Sequence, residues 1–263
     1  MVISSVILAL LQAVAEFLPI SSSGHLVLAQ NVLNLSPKVF NLSFDIILHF
    51  GSLLALLIFF RKDIMNIVKG SIRRDKNELR LLKNIVLATI PAIVIGYFFG
   101  DYIENNFRGA WFVVFNLVFF GIIFMLVENY SKMTKGIKSL SLKESLIIGC
   151  AQVIAFIPGV SRSGITIITG VYLGLKREDS ARFAFLVAIP AISLATVKGI
   201  KDIITSKEGF TSIDLYILGF LISFVASFMT IKYFLQYVKN HSFKPFIYYR
   251  FILAFVMFLY LAF

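Results

Sequence analysis

Six long apolar runs are spaced along the chain, at residues 44–60, 85–100, 111–127, 183–197, 215–231 and 247–263. Each is close to the ~20 residues that a helix needs to cross ~30 Å of hydrocarbon, so the pattern predicts six full transmembrane helices. Two further apolar stretches are interrupted by polar residues. Residues 2–18 can be helical until Pro19 and a Ser-Ser-Ser-Gly run break them, and a shorter stretch, 25–33, follows before Asn34 and Pro37. The same order returns as 142–157, a turn at 158–164, and 165–175. Helices of ~10 to 15 residues, rising ~1.5 Å per residue, reach only about the midplane, which predicts two re-entrant hairpins.

The two interrupted stretches are copies. Gln12, Ala15, Ser21, Ser23 and Gly24 recur 140 residues on as Gln152, Ala155, Ser161, Ser163 and Gly164, with Ile20 replaced by Val160. The polar residues between them have diverged: Glu16 stands opposite Phe156, Ser22 opposite Arg162, and His25 opposite Ile165. Each half has one hairpin and three full spans. An odd number of crossings puts homologous halves in opposite orientations, so residues 1–130 and 141–263 read as two inverted-topology repeats of one membrane domain, 1–263. One hairpin then enters from each side, and the tips meet near the midplane. Irregular backbone at that depth is tolerated only where it is buried in protein or lines a polar cavity.

Composition narrows the class to an all-α polytopic membrane protein. With 59% hydrophobic residues, 28 Phe and a mean hydropathy of +0.88, the chain is too apolar for a water-soluble globule. No Lys or Arg precedes the first apolar run, and Lys38 is the first cation, so that run is expected to stay as structure and not to act as a signal peptide. The net charge of +11 is concentrated in loops: eight cations lie between Arg61 and Lys83, with further groups at 132–143, 176–182 and 232–244. If those loops face inward, about 18 cations lie inside and about 5 outside, as the positive-inside rule asks. That distribution accounts for the charge without nucleic acid. The single Cys150 excludes an internal disulfide and has no metal motif around it.

Chemistry is concentrated at the two tips. A Ser/Gly turn opening a helix offers free N–H groups and the positive end of the helix dipole, and Arg162 adds a planar fork suited to phosphate oxygens. Two such tips converging would make an anion site. Glu16 lies one turn after Gln12 on the same helix face. A charge at that depth costs at least ~2.5 to 3.5 kcal/mol and is functional by default. Beside a phosphate it must be protonated, act as a base, or share a cation with the substrate, and Mg²⁺ suits the last role. Ser22 and His25, three residues apart, are expected to be neighbours as an activated nucleophile and its base. His49 and His241 have no motif around them and read as structural or solvated.

With QAVAEFLPISSSGH and PGVSRSGIT, the chain resembles the undecaprenyl-diphosphate phosphatase family of bacitracin-resistance membrane proteins. The resemblance covers the whole chain in length and span count. It departs at Gln12, where Glu is also used, removing one carboxylate, and at His49, where Gln is expected. It implies hydrolysis of undecaprenyl diphosphate to the monophosphate carrier of cell-wall glycan synthesis, at a plasma-membrane site facing outside. Carried onto this chain, it makes Glu16, Ser22, His25 and Arg162 the catalytic set. Either Ser22 or His25 would attack; with Ser22 as nucleophile, His25 would act as acid and base, and Glu16 would position Mg²⁺, with Ca²⁺ as the alternative, or shuttle a proton. Gln12, Ser21, Ser23, Gly24, Gly159, Ser161, Ser163, Gly164 and Thr166 would bind substrate. The expected partners are the polyprenyl diphosphate and the bilayer, with a homodimer left open. The rival reading is a lipid flippase or anion transporter on the same scaffold, which has little use for Ser22 and His25.

Overall fold

The computed structural model describes residues 1–22, 24–26, 29, 40, 42–107, 109–206 and 213–263, and no strand occurs among them. The helices are α1 (Val2–Ala15), α2 (Leu42–Phe59), α3 (Arg61–Ile72), α4 (Lys76–Phe107), α5 (Ala110–Tyr130), α6 (Leu142–Ile154), α7 (Arg162–Tyr172), α8 (Arg177–Ser206), α9 (Ile213–Val238) and α10 (Lys244–Ala262). Five of these, α4, α5, α8, α9 and α10, are long and apolar enough to cross a membrane. The expected span at 44–60 corresponds to α2, which passes the same test only together with α3, across a bend of 63°. The chain is thus an all-helical, multi-pass membrane protein. α4 and α8 begin well before their apolar runs because charged first turns extend them beyond the hydrocarbon.

Besides α3, which continues α2 across the bend, the short helices are α1, α6 and α7, of 14, 13 and 11 residues. At about 1.5 Å per residue they are roughly 16 to 21 Å long, too short to span. α6 begins with a complete capping box, in which Ser141 and Glu144 satisfy each other's backbone N–H groups. α1 and α6 stop at Ala15 and Ile154, each four residues before a proline, Pro19 and Pro158, because a proline lacks an N–H and disfavours helix in the residue before it. The expected second arm of the first hairpin, 25–33, lies largely outside the described residues.

Each short arm packs on a long helix of the other half. Ser5 of α1 donates to the Leu215 carbonyl at the start of α9. Gly149 of α6 lies against the backbone of Ala88 in α4, where a Cβ would come within 2.5 Å of the Ala88 carbonyl. α2 and α8 run antiparallel, with Ile46 beside Gly199 and Phe60 beside Phe185. So do α5 and α10, with Trp111 on Phe258 and Glu128 accepting from the Phe243 N–H. A Phe-rich core built around Phe17, Phe60, Phe124, Phe185 and Phe234 fills the centre, and both tips are set into it.

Candidate active site

The two tips share one backbone solution. Ser21 and Ser161 have φ of 76° and 78°, a left-handed conformation rare outside glycine, and they stand 140 residues apart. Each hydroxyl then caps the helix that follows: Ser21 Oγ accepts from the Gly24 N–H at 3.4 Å, and Ser161 Oγ from the Gly164 N–H at 3.1 Å. Such a conformation stores strain of roughly 1 to 3 kcal/mol, held here at matched positions of the two turns.

Glu16 joins the tips. It caps the end of α1 and is 7% exposed. One carboxylate oxygen pairs with the Arg162 guanidinium of the second tip. The other accepts from the Ser22 hydroxyl at 3.0 Å and the Gln12 amide at 3.0 Å, with His49 Nε2 at 3.7 Å. A second bond crosses between the tips, from Ser163 Oγ to the Leu18 carbonyl at 2.9 Å. The position matching Glu16 in the second half is filled by Phe156, which is 37% exposed and turned outward onto Gly96 of α4. This explains why only one half carries the acid: the matched position faces outward.

Behind the tips sits Arg250 of α10, with no exposed surface. It donates to five backbone carbonyls: Pro19 of the first tip, Gly159 and Val160 of the second, and Asn116 and Leu117 of α5, at 3.0 to 3.4 Å. Its guanidinium also lies 4.9 Å from the centre of the Phe124 ring. Asn116 adds a bond to the Pro158 carbonyl at 2.9 Å. Turning these carbonyls toward α5 and α10 leaves the capped N–H ends of the tips to face the Glu16–Arg162 side.

Several sequence expectations are revised by this geometry. Ser22 and His25 do not pair. Ser22 bonds Glu16, while the His25 ring is held at Nδ1 by the Ser21 carbonyl and at Nε2 by the Tyr249 hydroxyl, both at 2.7 Å, and stacks on Tyr249. A carbonyl can only accept, so Nδ1 carries the proton, and in the neutral ring Nε2 accepts from Tyr249. Three residues along a helix bring Cβ atoms together, but this ring reaches back to the carbonyl four residues before it. Thr166 donates to the Arg162 and Ser163 carbonyls within its own helix and does not point at the tips. Gly159 and Gly164 are required by packing, since a Cβ would lie 2.8 Å from the Val113 carbonyl and 2.6 Å from Phe124. Gly24 similarly faces Val113. Ser23 lies outside the described residues.

Sequence reasoning missed His49, Asn116, Tyr249 and Arg250. One signal was available for the last: the count of about 18 inner and 5 outer cations leaves Arg162 and Arg250 over, the two set within the bundle. His241 is as expected, exposed and bonded to its own helix at Tyr237.

Among the described residues no three of His, Cys, Asp and Glu gather. The Gln12 Oε1 atom, however, is buried without a hydrogen-bond partner on the helix face that carries Glu16. One carboxylate and one amide oxygen form a hard-oxygen pair that suits Mg²⁺ or Ca²⁺ when phosphate oxygens and water complete the shell.

The sequence is similar to those of named proteins. The family model described as bacitracin resistance protein BacA matches residues 5–256. The undecaprenyl-diphosphatase of Rubrobacter xylanophilus is 39% identical over 259 residues, covering 96% of this chain and 95% of the relative. Those of Elusimicrobium minutum and Alteromonas mediterranea are 39% and 38% identical, covering 97% and 96% of this chain and 96% of each relative.

Proposed function

The chain belongs to the bacitracin resistance protein BacA family, and from that premise we propose that it is a membrane phosphatase that hydrolyses undecaprenyl diphosphate to undecaprenyl phosphate and inorganic phosphate, recycling the lipid carrier for cell-wall glycan synthesis. The observation that carries this reading is the line Arg162–Glu16–Ser22, in which a cation from one tip and a hydroxyl from the other meet on one carboxylate. The relatives' names favour a hydrolase over a carrier.

Phosphoryl transfer is mostly positioning and charge stabilisation. In the resting site Glu16 occupies Arg162 as a phosphate oxygen would. The entering diphosphate takes the Arg162 fork and frees Glu16, which accepts the Ser22 proton as Oγ attacks the terminal phosphorus. The bond to the bridging oxygen breaks, and undecaprenyl phosphate leaves as an anion. Water then cleaves the phosphoserine. His25 gives up its Tyr249 bond to take the water's proton, and Ser22 recovers its own. The N–H group of Ser163, at the start of α7, and that of Ser22, next to Ser21, help to neutralise the transferring phosphoryl group. Glu16 and Gln12 would hold Mg²⁺ or Ca²⁺, which when bound supplies further positive charge to the phosphate oxygens.

The halves 1–130 and 141–263 are read as inverted repeats that cross six times, counting α2. Support comes from the antiparallel pairs α2–α8 and α5–α10, the exchanged packing of α1 on α9 and α6 on α4, and the matched Ser21 and Ser161 turns. The site is proposed to open outward, on the plasma membrane face opposite the cationic loops. His49, beside Glu16, is nearer the Leu42 end of α2 than the Phe59 end, next to which Arg61 lies.

Phosphate release from undecaprenyl diphosphate tests the reading. Wild type is expected to turn over and to lose most activity in EDTA, and Ser22→Ala to fall by about 10³-fold or more. No turnover by folded wild type with Mg²⁺ or Ca²⁺ would sink it. Tyr249→Phe is expected to stay within about tenfold of wild type, and His25→Ala to lose about 10²-fold or more. Equal losses in the two would put Tyr249 in the chemistry and overturn this division of roles.

A further inference from the structure

On the face where the cationic loops gather, most acids are already committed. Glu78 holds Lys138 at 2.9 Å, Glu144 holds Lys135 at 2.6 Å, and Asp63, Glu128 and Glu178 hold Arg182, Arg177 and Lys239. Between the first turns of α4 and α6 lies a cleft of ≈ 570 Å³ whose walls include Lys76, Arg80, Lys83 and Lys143. None of these four cations has an acidic partner among the described residues, and the neighbouring acids Glu78 and Glu144 are neutralised by lysines outside the cleft. Four like charges around one cleft repel one another, and an anion relieves that cost.

The surface below the cleft identifies the kind of anion. α4 and α6 run side by side in the same direction, joined by the Asn84 side chain on the Leu140 carbonyl, by Gly149 on Ala88, and deeper by Phe156 on Gly96. Leu79 and Leu142 line the cleft itself. Beyond the cleft the exposed side chains of the two helices include Val86 and Ile90 from α4 and Leu146 and Ile147 from α6. Charge at the surface end and an uninterrupted apolar seam beneath it match a phosphate head with acyl chains. A free anion needs only the first. The α1–α9 seam, where the same helix pairing recurs, begins with Asp214 and has no Lys or Arg in its first turns, so the charge is particular to this cleft.

We propose that the α4–α6 cleft binds the phosphate head of an anionic membrane phospholipid, with the acyl chains lying along the seam, at a site separate from Glu16 and Arg162. The test is native mass spectrometry of the purified full chain titrated with cardiolipin, phosphatidylglycerol or phosphatidylcholine. Wild type is expected to prefer cardiolipin over phosphatidylcholine by about tenfold or more, because each Lys or Arg adds attraction to an anionic head. Lys76→Gln/Arg80→Gln/Lys83→Gln/Lys143→Gln should lose that preference, and Lys76→Arg/Lys83→Arg/Lys143→Arg should keep it. Phosphate release in neutral detergent should be unchanged in both, so failure here is distinguishable from failure of the phosphatase reading. A cardiolipin preference surviving in the Gln variant would overturn the proposal. So would competition by millimolar inorganic phosphate, which would mean a free-anion site, or binding restricted to undecaprenyl phosphate, which would make the cleft a carrier site.

Discussion

Arg162→Lys is expected to slow phosphate release from undecaprenyl diphosphate by about 10³-fold or more, within the 10³ to 10⁵ that an arginine on a transferring phosphoryl group contributes. Lysine keeps the charge but loses the planar fork that can meet two phosphate oxygens while lying across to the other tip. It also weakens the link to Glu16 on which both tips close. Ser22 would therefore lose its orientation together with the phosphate clamp. kcat measured at saturating lipid should carry most of the loss, since the prenyl chain still binds through the bilayer. A loss confined to KM, or one smaller than tenfold, would remove Arg162 from the transition state.

Arg250→Met should be nearly as damaging although Arg250 is not assigned to touch the substrate. Its five carbonyl acceptors come from both tips and α5; those of Asn116 and Leu117 keep their helix donors, whereas Pro19, Gly159 and Val160 lie outside helices, and each of these left buried without a donor costs about 1 to 3 kcal/mol. Together that is about 3 to 9 kcal/mol, a large part of the stability of a typical domain, about 5 to 15 kcal/mol. The expected result is a protein that still inserts but has a lower thermal midpoint and phosphate release reduced by about 10³-fold or more. Arg250→Lys, with three donors and the charge retained, should recover an intermediate rate. That graded series separates positioning from mere folding. An Arg250→Met protein with near-normal rate would show that the tips hold their geometry without this anchor.

The two helix breaks were legible because a break is a local event. Pro19, Pro158 and the Ser/Gly turns write it into adjacent residues, and the repeat offset of 140 then paired Ser21 with Ser161 before any contact was known. Glu16, Ser22 and Arg162 followed from the same comparison, as the polar differences between two copies of one turn. What was hidden depends on the third dimension. Tyr249 and Arg250 sit in an apolar run with no motif, and only the packing of α10 against α5 brings them to the tips. His49 is likewise ordinary along α2 and becomes notable only beside Glu16. The Ser22–His25 pairing failed for a different reason: spacing on a helix fixes Cβ positions, not which of several nearby acceptors a ring nitrogen takes. The span at 44–60 was readable as hydrophobic, but the 63° bend into α3 was not.

With one phosphatase site assembled from two tips on opposite halves of the chain, Ser22 and Arg162 act as a unit. A double-mutant cycle in single-turnover phosphate release, using Ser22→Ala, Arg162→Lys and the pair together, tests it most directly. Residues acting as one unit should give a double variant no slower than the worse single one. Losses that multiply, or a Ser22→Ala protein that still turns over at the wild-type rate, would contradict it.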